Sequence, residues 1–138
     1  MAKRKIESVV PFLTFQGRAQ EALDFYTGIF PAAKVTGKVL FGRDEGGIEG
    51  NIKQAILTVG GNRLRVFDGP VVPGFHFSSA ISLFVEINYR STLDKVAEAL
   101  GKGGEVMMPL DSYPFADRFT WLSDRFGVNW QLVLGPKV

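Results

Sequence analysis

The stretch FQGRAQEALDFYTGIFPAA, residues 15–33, decides how the first half of the chain folds. It completes a run of β-branched and aromatic residues, Val9 to Phe15, which is typical of a β-strand and stops at Gly17. Apolar side chains then recur at spacings of three and four from Ala22 to Phe30, which indicates one face of an amphipathic helix. Pro31 ends that helix. The stretch therefore predicts a strand followed directly by a helix.

Three more strands are predicted at Val35 to Phe41, Ile52 to Val59 and Leu64 to Phe67. The glycine-rich stretch Gly42 to Gly50 is interpreted as a loop between the first two, with a flap over a binding site as the alternative. Gly60 and Gly61 are typical of a tight hairpin turn. The order of elements predicted for the first half is β, α, β, β, β.

The second half repeats this order after a glycine- and proline-rich linker, residues 69–79. A strand at Ala80 to Ile87 precedes a second amphipathic helix, near whose start Ser91 and Asp94 resemble a capping box. Three further strands are predicted at Glu105 to Leu110, Phe115 to Leu122 and Trp130 to Leu134.

Two similar offsets align the two halves, and the shift drops by only a few residues, as a difference in hairpin length would produce. Leu23 matches Leu93 at an offset of 70 (93 − 23), and Gly60 to Asp68 matches Phe126 to Leu134 at 66 (126 − 60). The alternative is chance similarity between two segments of one α+β protein. We predict an α+β fold built from two βαβββ modules, residues 1–68 and 80–138, within a single domain over residues 1–138.

Composition excludes several classes of protein. A chain of 138 residues that is 46% hydrophobic is long enough to bury the core of one domain. The absence of cysteine excludes disulfides, thiol catalysis and thiolate metal sites. Part of the net charge of +2 comes from Lys3, Arg4 and Lys5, and the other basic residues are mixed with acidic ones, so no nucleic-acid partner is predicted. Without a signal peptide pattern or a bilayer-spanning apolar run, we expect a cytoplasmic protein with no membrane partner.

Three segments carry a family resemblance. Residues 10–33, with the helix pattern A-x-x-F-Y, resemble the opening of the glyoxalase, bleomycin-resistance and extradiol-dioxygenase superfamily, also called vicinal oxygen chelate proteins. The segment TWLSDRFGVNWQLVL, residues 120–134, resembles its last hairpin. With MMPLDSYPFADRF, residues 107–119, the chain is most similar to the 3-demethylubiquinone-9 3-methyltransferase-like subfamily. The resemblance implies a curved mixed sheet around a cleft, and a homodimer.

Metal-dependent members of this superfamily place His and Glu on the first and last strands of each module. The corresponding positions here hold Pro11 or Phe12, Arg65 or Phe67, Ser82, and Gln131. None of these side chains is an anionic or imidazole ligand, so we predict neither a metal nor another cofactor. His76, the single histidine, is interpreted as a structural loop residue, with a lone general base as the alternative. No G-x-G-x-x-G string supports a site for S-adenosylmethionine.

The predicted ligand-binding residues are Phe12, Thr14, Arg65, Phe67, Ser82, Phe84, Trp121 and Gln131. Phe119 and Trp121 alternate with polar residues on one strand, so they share a face that is either a wall for a flat ligand or core packing. The neighbouring Arg118 is interpreted as part of a surface ion pair with Asp111 or Asp117, with a carboxylate and guanidinium that orient a polar ligand as the alternative. No catalytic residue is predicted.

The leading hypothesis is a metal-independent glyoxalase-fold protein that binds a small, largely apolar molecule in its cleft. One alternative is a metal-independent lyase, isomerase or transferase that uses Arg65, Asp68 or Gln131 for polar catalysis. A second is the methyltransferase that the subfamily label suggests. A third is an interaction domain whose cleft is filled by its own aromatic side chains.

Overall fold

The computed structural model describes residues 5–135, so Lys3 and Arg4 of the basic tail lie outside the described residues. The chain divides into two compact units between Pro73 and Gly74. The elements of the first are β1 (Phe12–Phe15), α1 (Ala19–Ile29), β2 (Lys34–Leu40), β3 (Ile52–Val59) and β4 (Asn62–Asp68). Those of the second are β5 (Leu83–Ile87), α2 (Arg90–Gly101), β6 (Glu105–Tyr113), β7 (Ala116–Ser123) and β8 (Asn129–Leu134). Over residues 5–135, neither helix has the length and apolar composition needed to cross a membrane.

Each unit contains a four-stranded sheet with the same order of strands, β1-β4-β3-β2 in the first and β5-β8-β7-β6 in the second. The first strand of each pairs in parallel with the last, and the other pairs are antiparallel. Phe12 lies opposite Arg65 in one sheet, and Phe84 lies opposite Gln131 in the other. The offset between Arg65 and Gln131 is 66 (131 − 65), the same as in the sequence alignment. The prediction of two βαβββ modules is confirmed.

Each helix covers one face of its own sheet with the apolar stripe that the spacing predicted. Buried residues of α1 include Leu23 and Tyr26, and those of α2 include Leu93 and Leu100. Leu23 and Leu93, which the sequence aligns, are both fully buried. We call the opposite side of each sheet its helix-free face.

The turn between β3 and β4 consists of Gly60 and Gly61, as predicted. Their φ angles are +57° and +80°, a left-handed conformation that glycine adopts without steric cost. The first strand begins at Phe12 rather than Val9, because Pro11 has no N–H to donate to a β-ladder. In the second unit, β6 continues to Tyr113, three residues beyond the prediction, through register shifts against β7.

The predicted capping box at the start of α2 is wrong. The helix begins at Arg90, and Tyr89 is its N-cap with an extended backbone and no side-chain capping bond. Ser91 is therefore already inside the helix. Asp94 instead accepts a hydrogen bond of 2.6 Å from Nε of Arg118. This pair, and not one with Asp111 or Asp117, is the ion pair that Arg118 makes.

Candidate functional site

The helix-free face of the first module carries four of the predicted ligand residues, Phe12, Thr14, Arg65 and Phe67. Pairing of β1 with β4 places Phe12 opposite Arg65 and Thr14 opposite Phe67. The ring centroids of Phe12 and Phe67 lie 5.8 Å apart. Their chain neighbours Leu13 and Val66 are buried on the helix side, as alternation along a strand requires. These four side chains are thus brought together on one surface of one sheet.

The other four predicted residues, Ser82, Phe84, Trp121 and Gln131, are brought together on the helix-free face of the second module. Gln131 lies between Phe84 on β5 and Trp121 on β7 in the strand pairing. The Gln131 side-chain amide donates a 2.9 Å hydrogen bond to the Ser82 hydroxyl. Trp121 is half-buried, whereas the Phe84 ring is 59% exposed. We call Phe84, Gln131 and Trp121, with Met108 opposite Trp121 on β6, the central row.

The strand pairing confirms that Phe119 and Trp121 share a face, because they lie opposite Val133 and Gln131. Their surroundings nevertheless differ. Phe119 is buried beneath Tyr113 and Phe115, with ring centroids at 5.8 and 4.9 Å. Trp121 keeps part of its surface accessible and donates its indole N–H to Asn129 at 3.3 Å. Of the two rings, Trp121 is the one that a ligand could contact.

Asp68, which the polar-catalysis alternative invoked, has a structural role. Its carboxylate is 4% exposed and lies on the helix side of the sheet, away from Arg65. It accepts backbone N–H bonds from Gly17 at 2.9 Å, Ala19 at 3.0 Å and Ile52 at 2.9 Å. These bonds join the start of α1 to the start of β3. The carboxylate is therefore engaged in holding the backbone and does not reach the helix-free face.

The side chains at the superfamily's metal positions do not fit a divalent cation. They present an aromatic ring, a guanidinium, a hydroxyl and a neutral amide, and the last two already bond each other. Across residues 5–135, no three His, Asp or Glu side chains are grouped so as to hold a metal ion. His76 is exposed in the linker, with Nδ1 2.9 Å from the carbonyl oxygen of Phe77.

The loop from Gly42 to Gly50 is held by a charged side chain that the sequence analysis did not use. Glu45 accepts the Gly42 N–H at 2.6 Å and a Lys53 ammonium hydrogen bond at 3.1 Å. The hydrogen bond from Gly42, and then Lys53, lowers the pKa of the Glu45 carboxyl below its ordinary value of 4.5. The loop therefore has an internal support at neutral pH, where this carboxyl is ionised.

A groove of about 490 Å³ lies on the helix side of the second module, between α2 and strands β6 and β7. Val106, Leu110 and Leu122 line its apolar part. At its polar end Arg118 pairs with Asp94, and this hydrogen bond raises the pKa of the guanidinium. None of the eight predicted ligand residues lines this groove. Asp94 and Arg118 are 24 residues apart in the sequence, so no local sequence pattern could have predicted their ion pair. The main polar groups of the groove therefore bind each other.

Comparison with known proteins places this geometry in a family. The model of the protein family described as 3-demethylubiquinone-9 3-methyltransferase matches residues 7–133. A PhnB protein from Bacillus cereus is 36% identical, with a TM-score of 0.87 over 94% of this chain and 100% of that chain. Protein PA1353 from Pseudomonas aeruginosa is 27% identical, with a TM-score of 0.82 over 94% of this chain and 98% of that one.

A more distant structure shares the fold alone. It is a mutant of the fosfomycin resistance protein FosX from Listeria monocytogenes, in complex with Mn(II) and a dihydroxypropylphosphonic acid. It is 12% identical, with a TM-score of 0.65 over 95% of this chain and 94% of that chain. Among curated proteins, none matches this sequence significantly.

Proposed function

The chain belongs to the 3-demethylubiquinone-9 3-methyltransferase family within the glyoxalase, or vicinal oxygen chelate, superfamily, and we propose that it binds a small, flat, largely apolar molecule without a metal. The proposed site is the central row on the second module. The observation that carries the proposal is the order of side chains across the four paired strands of the second module. From β5 to β6 they are the exposed phenyl ring of Phe84, the amide of Gln131, the half-buried indole of Trp121 and the thioether of Met108. Such a surface is largely apolar, with few polar groups to orient a ligand.

The polar groups of this face favour recognition over acid or base catalysis. Gln131 and Ser82 form a neutral pair, in which the amide oxygen and the hydroxyl hydrogen remain able to bond a ligand. No titratable side chain stands in the central row, whereas proton transfer needs one within hydrogen-bonding reach of the reacting group. Glu86, which is exposed on the same face, lies opposite Val133 and outside the row. A carbonyl or hydroxyl on an otherwise aromatic ligand is the chemistry that this pair would recognise.

The test is a titration of ¹⁵N-labelled protein with uncharged aromatic probes, beginning with naphthalene-2-carboxamide. We expect amide shifts concentrated at Phe84, Trp121 and Gln131. Phe84→Ala removes a ring that is 59% exposed, so the fold should tolerate it. Replacing Phe84 or Trp121 by Ala should each weaken probe binding by about 1–3 kcal/mol, as for a ring that contacts the ligand.

Tyr89→Ala is the matched control, because Tyr89 is a 74% exposed aromatic at the start of α2 and lies outside the central row. Equal affinities in all three variants and the native protein would refute the proposed site. The family's description names a methyltransferase, so the same titration includes S-adenosylmethionine. Saturable binding of that compound would favour group transfer over simple binding.

A further inference from the structure

The strands of the two modules differ sharply in charge. Those of the first carry five basic residues and one acidic residue, Lys34, Lys38, Lys53, Arg63, Arg65 and Asp68. Those of the second carry one basic residue and four acidic residues, Arg118, Glu86, Glu105, Asp111 and Asp117. Since the fold is the same in both, packing does not require this asymmetry.

Three of the basic residues lie on the helix-free face of the first module. Arg63 lies opposite Thr58, which lies opposite Lys34 on the edge strand β2. Arg65, two positions along β4 from Arg63, lies opposite Ile56 and, on its other side, Phe12. All three cations are exposed. We call Lys34, Arg63 and Arg65 the cationic group.

The cationic group has no acidic partner within residues 5–135. The ion pairs found there involve Arg18, Lys53 and Arg118. The one acidic residue of the four strands, Asp68, lies on the helix side and accepts three backbone N–H bonds. Lys34 on β2 and the two arginines on β4 lie on either side of β3. Their like charges repel one another, and an anion bound among them would relieve that repulsion.

Beside the cationic group the same face is aromatic. Phe67 lies 5.8 Å from Phe12 and 6.2 Å from Phe41, measured between ring centroids. We propose that the helix-free face of the first module binds a small organic anion, with its acidic group on Arg63 and Arg65 and its apolar part on Phe12 and Phe67. This proposal extends the proposed function to the first module and does not depend on the central row.

The experiment compares two probes of the same size and aromatic ring, the anionic naphthalene-2-carboxylate and the neutral naphthalene-2-carboxamide, by titration of ¹⁵N-labelled protein. We expect the carboxylate to shift the amides of Phe12, Ile56 and Arg65 and to bind there about tenfold more tightly than the carboxamide, as for a hydrogen bond to a charged group. That preference should fall as salt is raised.

Arg65→Gln and Arg63→Gln should each reduce the preference for the carboxylate severalfold. Arg43→Gln is the matched control, since it removes the same charge from an exposed position in the Gly42 to Gly50 loop, and it should leave the preference unchanged. Urea unfolding of each variant checks that the fold is retained.

Equal affinity for the two probes at the first module would overturn the inference, as would equal effects of Arg65→Gln and Arg43→Gln. Shifts confined to Phe84, Trp121 and Gln131 would overturn it while leaving the proposed function intact. The reverse pattern, in which the carboxylate shifts the amides around Arg65 and neither probe shifts those of Phe84, Trp121 or Gln131, would support the inference and refute the proposed function. The assignment of a small anion is wrong if duplex DNA displaces the carboxylate and binds more tightly. It is also wrong if Arg65→Gln changes only the monomer–dimer equilibrium and leaves binding of the carboxylate unaltered.

Discussion

Replacing Asp68 by Asn should destabilise the protein substantially while leaving its surface chemistry unchanged. In the native structure Oδ1 accepts the N–H groups of Gly17 and Ala19, and Oδ2 accepts that of Ile52. An asparagine keeps one acceptor oxygen, so at best two of these bonds survive. Its NH₂ group then faces the Ile52 N–H, and two donors are left unsatisfied at a site that is 4% exposed. The remaining bonds also lose the assistance of the carboxylate charge.

An unsatisfied buried donor costs about 1–3 kcal/mol, so with two of them we expect the free energy of unfolding to fall by about 2–6 kcal/mol. Urea unfolding followed by circular dichroism measures this loss, and hydrogen exchange at Ala19 and Ile52 tests its local origin. Asp24→Asn is the control, because Asp24 is exposed on α1 and its carboxylate accepts a hydrogen bond from the side-chain amide of Gln20. It should change stability by less than about 0.5 kcal/mol. If Asp68→Asn is as mild as Asp24→Asn, the structural role of Asp68 is wrong.

Four further results are expected. In the second module the buried carboxylate of Asp124 accepts the backbone N–H groups of Phe126 and Val128 and the indole N–H of Trp130. If the two modules form a single domain, Asp68→Asn and Asp124→Asn should both lower the midpoint of one shared unfolding transition, and two separate transitions would contradict this. The pKa of Glu45 in the folded protein lies below 4.5, so its support of the Gly42 to Gly50 loop should be complete above pH 4.5 and lost as the pH falls through the folded pKa. The chemical shift of the Gly42 amide should report the midpoint of this transition, and Glu45→Gln should abolish the transition. Gly104→Ala should lower Tm strongly because its new Cβ would overlap the Ser123 carbonyl oxygen, whereas Gly28→Ala on α1, with no atom within 4 Å, should raise stability by up to about 1 kcal/mol. Sedimentation equilibrium should show a homodimer of twice 15.2 kDa, and elemental analysis should find less than one divalent metal per chain.

The fold could be predicted because its signals are local and repeated. The stripe from Ala22 to Phe30 and the pair Gly60 and Gly61 each specify a helix face or a turn without reference to distant residues. The repeat then supplied a second copy of the helix signal, in the buried stripe of α2 that includes Leu93 and Leu100. The capping box at Ser91 and Asp94 failed because Asp94 has a stronger partner 24 residues away in the sequence. The spacing of residues along the chain does not indicate an ion pair between a helix and a strand that are distant in the sequence.

Strand alternation predicted which residues of the candidate site share a face, but not their burial or their hydrogen bonds. Alternation places Phe12 and Arg65 on the helix-free face of the first module, and the strand pairing agrees. It likewise places Phe84 and Gln131 on the helix-free face of the second module. It could not show that Asp68, two residues after Val66, accepts three backbone hydrogen bonds, since these come from residues 16 to 51 positions away. Nor could it separate the buried Phe119 from the half-buried Trp121, which stand on the same face of one strand.

The repeat itself supports treating the two helix-free faces as chemically distinct. Equivalent positions in the strand pairing hold Phe12 and Phe84 on the first strand of each module, so that the aromatic ring is common to both. The position opposite that ring is Arg65 in one module and Gln131 in the other. A guanidinium is always charged at physiological pH, whereas an amide is neutral and can both donate and accept hydrogen bonds. One fold therefore presents the same ring beside a cation in the first module and beside a neutral amide in the second. Ligands that share an aromatic body but differ in charge should accordingly distinguish the two faces.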